Sequence, residues 1–504
     1  MRKPPVLIVV LGVFAALAAL IPLGYLLLRL GQGAEKATAE LLRPRTLELL
    51  LNTVLLVGSV TLTALVIGFF QAWLVTRTNL RFPGFFAVLA TLPLAIPSYV
   101  LAFAFTASFP GFSGFFASWI VLSLATSPYV FIAVSAALVR TDVAAEEVAR
   151  SLGLGKLAVL VRVTWPQVRA AATASSLLVA LYTLSEFGAI SILRFDTFTR
   201  AIYNAYRLSF DRTSAAALAL VLILLTLMVI WFERRYRGDY QIQRTAMQRS
   251  KRVELGAMGT VAILTLLSLA AVGVGIPMFA LIRWSIIGSS SADLDEILEA
   301  LVGSASVALG SGLLIALVAL AVALWVVRFP SRFAKGIEFS IWATHALPAI
   351  VVALSLVFIG ANLLPELYQT VWLLVFAYLI LFLPNALSAI ATPIAQVPYS
   401  LEQVASSLGV KGNKTLTKVV LPMATPGIVA GAALVSLTVL KELPATLLLR
   451  PTELQTLAIR LWSATEELAF AQAAPYALLL VLLAGIPALA LNASARKAVA
   501  EVSS

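Results

Sequence analysis

The stretch EEVARSLG at 146–153 returns as EQVASSLG at 402–409, 256 residues further on, and each copy is followed by the same spacing of a valine and a proline. Glu147, Ala149, Gly153, Val163 and Pro166 in the first copy correspond to Gln403, Ala405, Gly409, Val419 and Pro422 in the second, with Glu146 and Glu402 immediately ahead. The recurrence marks a duplicated chain. Both copies sit in polar loops, 140–169 and 393–424, between long apolar runs, which is where a membrane protein would meet a soluble partner.

The environment follows from composition. With 61% hydrophobic and only 12% charged residues and a mean hydropathy of +0.98, the chain is more apolar than a soluble domain of its length. Crossing a hydrocarbon core of about 30 Å takes roughly 20 apolar residues as helix. Twelve runs qualify, near 5–28, 52–76, 84–107, 115–139, 170–192, 214–232, 256–282, 303–327, 336–360, 370–391, 425–448 and 474–492. They are continuously apolar rather than alternating, so helices are expected and a barrel is not. Arg2 and Lys3 ahead of the first run imitate a secretory leader, but the run is longer than a leader's apolar core, and a retained anchor is expected. Cysteine is absent, which excludes disulfides, thiolate metal sites and cysteine nucleophiles.

Charge orients the spans. With both termini inside, about two-thirds of the 36 Lys and Arg fall in inner loops, the bias that the positive-inside rule requires. The richest inner segment, from Arg234 to Arg252, could suggest nucleic-acid binding, as could the net charge of +12. A topology determinant lying near anionic membrane lipid is the simpler reading, with no nucleic acid involved.

That segment divides the chain into halves of six spans, 1–250 and 251–504. The repeat extends past the loops: Leu92-Pro93 matches Leu347-Pro348, Pro128 matches Pro384, and Ser185-Glu186 with Arg194 matches Lys441-Glu442 with Arg450. The expected fold is therefore all-α and integral to the membrane, with about twelve spans in two homologous six-helix halves. Parallel repeats imply a pseudo-two-fold axis along the membrane normal, and a translocation route is expected between the halves.

Each loop motif reads as a short amphipathic helix. Ala145, Val148, Ala149 and Leu152 form one apolar stripe, as do Leu401, Val404, Ala405 and Leu408. Ser400 with Gln403 three residues on has capping-box spacing, and Gly153 and Gly409 supply the stops. A helix of about nine residues is marginal alone, so its apolar face must dock, and a partner's groove is one way to do so.

At these residues the chain resembles the permease subunits of bacterial ABC importers, whose coupling loops carry Glu, small, Ala, three residues, Gly, nine residues, a branched residue and Leu-Pro. Here the signature runs from Glu147-Val148-Ala149 to Trp165-Pro166 and from Gln403-Val404-Ala405 to Leu421-Pro422. Val148 and Val404 depart from the usual alanine, and Gln403 from the usual glutamate. The resemblance implies that each short helix enters a cleft on a subunit of a cytoplasmic ATPase dimer, with a periplasmic or surface-tethered binding protein on the other side. Glu146, Glu147, Ala149, Gly153, Pro166, Glu402, Gln403, Ala405, Gly409 and Pro422 would form the coupling surfaces. Fusion of both halves and the run from Lys441-Glu442-Leu443-Pro444 to Leu449-Arg450-Pro451 are similar to the ferric-iron permeases. Thiamine and phosphonate permeases share the fused architecture. The implied location is the bacterial inner membrane, multi-pass.

Glu186 and Glu442 hold matching positions in the fifth and eleventh expected spans, where a carboxylate is costly unless it faces a partner or a cavity. Two carboxylates across an axis suit transient passage of a hard cation. Lys441, Arg194 and Arg450 leave a structural ion-pair role open for them. His345, the only histidine, has no companions at ligand spacing, and Tyr182, Tyr203 and Tyr206 fit interfacial anchors as well as phenolate ligands. No stable metal site and no cofactor are expected. Gly409 to Thr415 evokes a phosphate loop, but its glycine spacing is wrong and no strand precedes it, so ATP hydrolysis is assigned to a separate subunit. The competing class is an ion-coupled transporter of two six-span bundles, disfavoured by the scarcity of ionisable residues in the spans.

Overall fold

In the computed structural model, which describes residues 4–207, 209, 211–236, 253–288, 293–410 and 413–491, the apolar runs are helical. Among the described residues nine form helices long and apolar enough to cross a bilayer, from Val6–Gln32 to Leu416–Leu440. The expected third and ninth spans are each broken. Pro83–Ala95 meets Ser98–Ser108 at 91°, and Arg332–Ala346 meets Ala349–Asn362 at 106°. Proline is the cause in both: it disfavours helical geometry in the residue before it. Ile96, before Pro97, stands at φ −96°, ψ 117°, and Leu347, before Pro348, at φ −96°, ψ 114°. The twelfth run is the helix Phe470–Leu491, whose apolar part within the fully described residues is the shorter Phe470–Gly485.

Three spans contain a single wide π-helical turn: Leu160–Thr164, Ala271–Gly275 and Leu416–Val420. Each ends directly before an X-Pro pair, Trp165-Pro166, Ile276-Pro277 and Leu421-Pro422. Proline has no N–H to donate and its ring crowds the carbonyl four residues back, and one widened turn accommodates it within a continuing helix.

The chain packs as two compact units that do not coincide with the sequence halves. One comprises 1–41, 202–223 and 292–463; the other comprises 42–201, 224–291 and 464–504. Each unit thus combines a long stretch of one half, 292–463 or 42–201, with shorter pieces that include helices of the other half. The expected boundary at 250/251, with most of the basic segment around it, lies outside the described residues.

Within the second unit, Pro44–Arg77, Gly114–Leu138 and Trp165–Ser185 pack against one another. Within the first, Leu294–Arg328, Val371–Gln396 and Leu421–Leu440 do the same, and Val6–Gln32 lies along Leu294–Arg328. The faces sort as a bilayer requires. On Leu294–Arg328, Ser311, Ile315 and Val322 are buried, whereas Leu309, Leu313 and Leu317 form an exposed apolar row at four-residue spacing. Such a row suits lipid rather than water.

Small residues let the helices approach closely. A Cβ on Gly68 would lie 2.6 Å from the Val130 Cβ and 2.7 Å from the Ser127 carbonyl oxygen. Gly68→Val should therefore separate Pro44–Arg77 from Gly114–Leu138, at a cost of about 1–3 kcal/mol. The check is thermal unfolding in detergent, where an unchanged midpoint would contradict the packing.

Candidate functional site

The two motif loops fold alike. The first carries the helix Val143–Ser151 and the second the helix Tyr399–Ser407. Gly153 and Gly409 both stand at positive φ, +85° and +87°. The N–H of Gly153 donates to the Arg150 carbonyl at 3.0 Å, and that of Leu154 to the Ala149 carbonyl at 3.1 Å. In the second loop Gly409 donates to Ser406 at 3.1 Å and Val410 to Ala405 at 2.9 Å. This pair of bonds closes the helix C-terminus and needs a left-handed residue, which glycine adopts without strain.

The N-termini differ. Asp142 caps the first helix, its side chain accepting from the Ala144 N–H at 2.9 Å and the Ala145 N–H at 3.4 Å. The capping box expected at Ser400 and Gln403 does not form. The second helix already starts at Tyr399, with Pro398 in the cap position and no side-chain cap. Pro398, at φ −65° and ψ 137°, stands just outside the helix, which begins one residue ahead of Ser400.

The expected apolar stripe is divided between two environments. Ala149 is buried on its own chain, while Val148 is 58% and Leu152 77% exposed. In the second loop Ala405 is half-buried, Val404 is 55% and Leu408 78% exposed. Each helix thus rests on its inner side and leaves a valine and a leucine uncovered on the other. Glu147 and Gln403 are also exposed. Pro166 and Pro422 occupy the second position of the helices that follow the loops, directly after the π turns.

The residue just ahead of each motif glutamate or glutamine faces inward. Glu146 is buried and pairs with Arg77, accepts from the Thr164 hydroxyl at 2.8 Å, and lies 3.9 Å from Arg150. Glu402 lies 3.2 Å from the Arg328 guanidinium. Arg328 also donates to the carbonyls of Ile394 and Val397, both at 2.9 Å, and stands 4.7 Å over the Tyr399 ring. Arg77 and Arg328 were not singled out from the sequence. Their signal was present: each ends a run, 49–76 or 300–327, that contains no charged residue, and each is the last residue of its long helix.

Glu186 and Glu442 do not lie inside continuous spans. The helix Trp165–Ser185 stops one residue before Glu186, and Leu421–Leu440 stops two before Glu442. Short helices, Gly188–Ile192 and Pro444–Leu449, then begin. Glu186 accepts from the Ala189 N–H at 3.0 Å and from the Ser98 hydroxyl at 2.8 Å, and Ser98 accepts from the Tyr182 hydroxyl at 2.9 Å. Glu442 accepts from the N–H groups of Ala445 at 2.7 Å and Thr446 at 2.9 Å, and from the Thr446 hydroxyl at 2.6 Å. Both carboxylates thus cap the N-terminus of the short helix that follows. Tyr182 serves this network, Tyr203 lies under the Arg207 guanidinium, and His345 meets Trp342 edge-on at 5.4 Å. Among the described residues no group of three or more acidic or histidine side chains is arranged to hold a metal ion.

The family model for binding-protein-dependent transport system inner membrane components fits residues 64–237 and again 312–498. The chain belongs to this family. It is a multi-pass inner membrane permease of the ABC type, built from two copies of the family's domain. The Fe(3+)-transport system permease protein FbpB 2 of Haemophilus influenzae is 34% identical, over 98% of this chain and all of that protein. A probable ABC transporter permease, y4fN of Sinorhizobium fredii, is 24% identical over 83% of this chain and 82% of its own length. The putative 2-aminoethylphosphonate transport system permease protein PhnV of Salmonella typhi is 28% identical over 40% of this chain and 79% of its own.

Proposed function

We propose that this permease is the membrane subunit of an ATP-driven importer that moves ferric iron, received from a periplasmic or surface-tethered binding protein, into the cytoplasm. The observation that carries the coupling part is the pair of short helices whose valine and leucine face outward from the chain. A helix of that length with an unburied apolar edge fits a groove on another protein. That protein is an ATPase dimer, one subunit per loop, and the chain itself hydrolyses no ATP. Both loops and both termini lie in the cytoplasm on this reading, and the basic segment near residue 240 faces anionic lipid. Ala149 and Ala405 set how closely the short helices approach the membrane helices, Gly153 and Gly409 end them, and Glu147 and Gln403 form a polar rim. Residues 1–250 and 251–504 are the two repeat units in sequence.

Iron rests on the relative that matches end to end and is named for Fe(3+) transport. The relatives named for 2-aminoethylphosphonate match over less than half of the chain. For Glu186 and Glu442 the hydrogen bonding supports a capping role rather than a place among ligands for passing iron, since both oxygens of each are occupied by neighbouring donors.

The test is reconstitution with the ATPase and binding protein that copurify with the chain, followed by uptake of radiolabelled Fe(III) and of 2-aminoethylphosphonate. ATP-dependent iron uptake is expected. Uptake of the phosphonate alone would overturn the iron assignment and keep the importer class.

A further inference from the structure

Arg77 and Arg328 lie at equivalent points in the two units and make equivalent connections. Each is the final residue of the longest helix in its unit's central trio. The two arginines are 5% and 8% exposed, unusually deep for guanidinium groups. Each reaches a carboxylate on the short helix of its own unit, Glu146 or Glu402. The links are built from different secondary partners. Arg77 and Thr164 share Glu146, whereas Arg328 meets Glu402 at ion-pair distance without an aligned hydrogen bond and is itself held by the carbonyls of Ile394 and Val397. Both copies keep this connection although its neighbours differ, which is what a constraint on the connection would produce.

We propose that Arg77 and Arg328 are positioning residues that latch each coupling helix to the end of a long membrane helix, so that displacement of the short helix is carried into the spans rather than absorbed by the loop. The proposal rests on the docking reading above. Its physical basis is directional. Val148 and Leu152 face away from the chain, while Glu146, on the inner side of the same helix, is held at the tip of Pro44–Arg77. A push on the outer side is therefore opposed at a fixed point. Among the described residues the loops have other ties to the membrane helices, the Asp142 N–H to the Gln167 side chain at 2.8 Å and the Tyr399 hydroxyl to the Val327 carbonyl at 3.2 Å, but the arginines supply the charged tie at the tip of each long helix. In the first unit the fixed point has a further support. Val253 donates to the Arg77 carbonyl at 2.9 Å and accepts from Asn79 at 3.1 Å, so the chain returning from the basic segment braces the end of the same long helix.

Removing one member of a buried ion pair strands the other charge, whereas replacing both with apolar residues is often neutral for folding. The informative variants are therefore Arg77→Met with Glu146→Leu, Arg328→Met with Glu402→Leu, and the combination of all four. Arg77→Lys and Arg328→Lys are the conservative controls, which keep the charge. The readout is the number of iron ions moved per ATP hydrolysed in proteoliposomes carrying the ATPase and binding protein. Networks of this kind commonly change coupling by a few-fold to tenfold or more, so a drop of about fivefold is expected for each pair and a larger one for the four-residue variant. The lysine variants should retain most of the ratio, and the ATPase should copurify with every variant, because Val148, Leu152, Val404 and Leu408 are untouched and Glu146 and Glu402, expected on the coupling surfaces, turn inward to Arg77 and Arg328 instead. An unchanged ratio in the four-residue variant, inserted at the wild-type level, would overturn the latch. Loss of ATPase copurification would also overturn it, because the arginines would then shape the docking face itself. Failure of the docking reading would appear separately, as a wild-type chain from which no ATPase copurifies.

Discussion

Val148→Asp with Leu152→Asp, combined with Val404→Asp and Leu408→Asp, should abolish copurification of the ATPase while leaving the permease inserted and folded. All four side chains are more than half exposed in the isolated chain, so aspartate at these places costs the fold little. In the assembly the same side chains would be covered. Burying one such residue contributes about 1.5–3 kcal/mol, so losing two per loop removes roughly 3–6 kcal/mol, or two to four decades in affinity. The introduced charges would then lie in an apolar groove, adding a desolvation cost. Each pair alone should weaken binding and the four together should eliminate it. Glu147→Gln belongs to the polar rim and should change affinity far less, since exposed ion pairs contribute at most about 1 kcal/mol. Binding of the ATPase to the permease in nanodiscs measures this directly. Wild-type affinity in the quadruple variant would remove the docking surface from these helices.

How far the sequence carried the reading depends on whether the governing interaction was local. The loop motif was legible because its glycines, spacing and apolar stripe act within one short helix, and Gly153 and Gly409 adopt the positive φ that such a stop demands. The two broken spans were readable in principle. Pro97 and Pro348 force Ile96 and Leu347 to be extended, yet a hydropathy window averages across the break and reports one span. The exchange of helices between the packing units had no local signal at all. Val6–Gln32 is apolar on most of its faces and could lie along any bundle, and only the packed structure places it beside Leu294–Arg328. Arg77 and Arg328 were passed over for a similar reason. A cation at the end of an apolar run reads as an interfacial anchor, and its pairing with a carboxylate 69 residues away, as for Arg77 and Glu146, depends on tertiary contact. The sequence did place Glu186 and Glu442 as a matched pair, but put them within spans; the backbone N–H groups that they satisfy exist only because the helix stops there.

That detail makes the two glutamates separable by substitution. Glutamine keeps the shape of glutamate but turns one acceptor into a donor. At Glu186 the exchange is tolerable. One oxygen still accepts from the Ala189 N–H, and the new amide can donate to the Ser98 hydroxyl, which can accept as well as donate. At Glu442 each of the two oxygens accepts from a backbone N–H, of Ala445 and of Thr446. Whichever way a glutamine turns there, a donor faces a donor, and a buried N–H loses its partner at about 1–3 kcal/mol. Glu442→Gln should therefore lower thermal stability clearly, while Glu186→Gln should stay near wild type. Alanine should be destabilising at both. Iron uptake per properly inserted molecule should remain close to wild type in Glu186→Gln. A role in the translocation path demands a different pattern: both glutamine variants would lose iron flux to a similar extent, because each loses one negative charge, and stability would hardly change. Measuring unfolding midpoints and Fe(III) uptake on the same four single variants separates the two. Equal loss of flux with unchanged midpoints would overturn the capping role and return both carboxylates to the path of the ion.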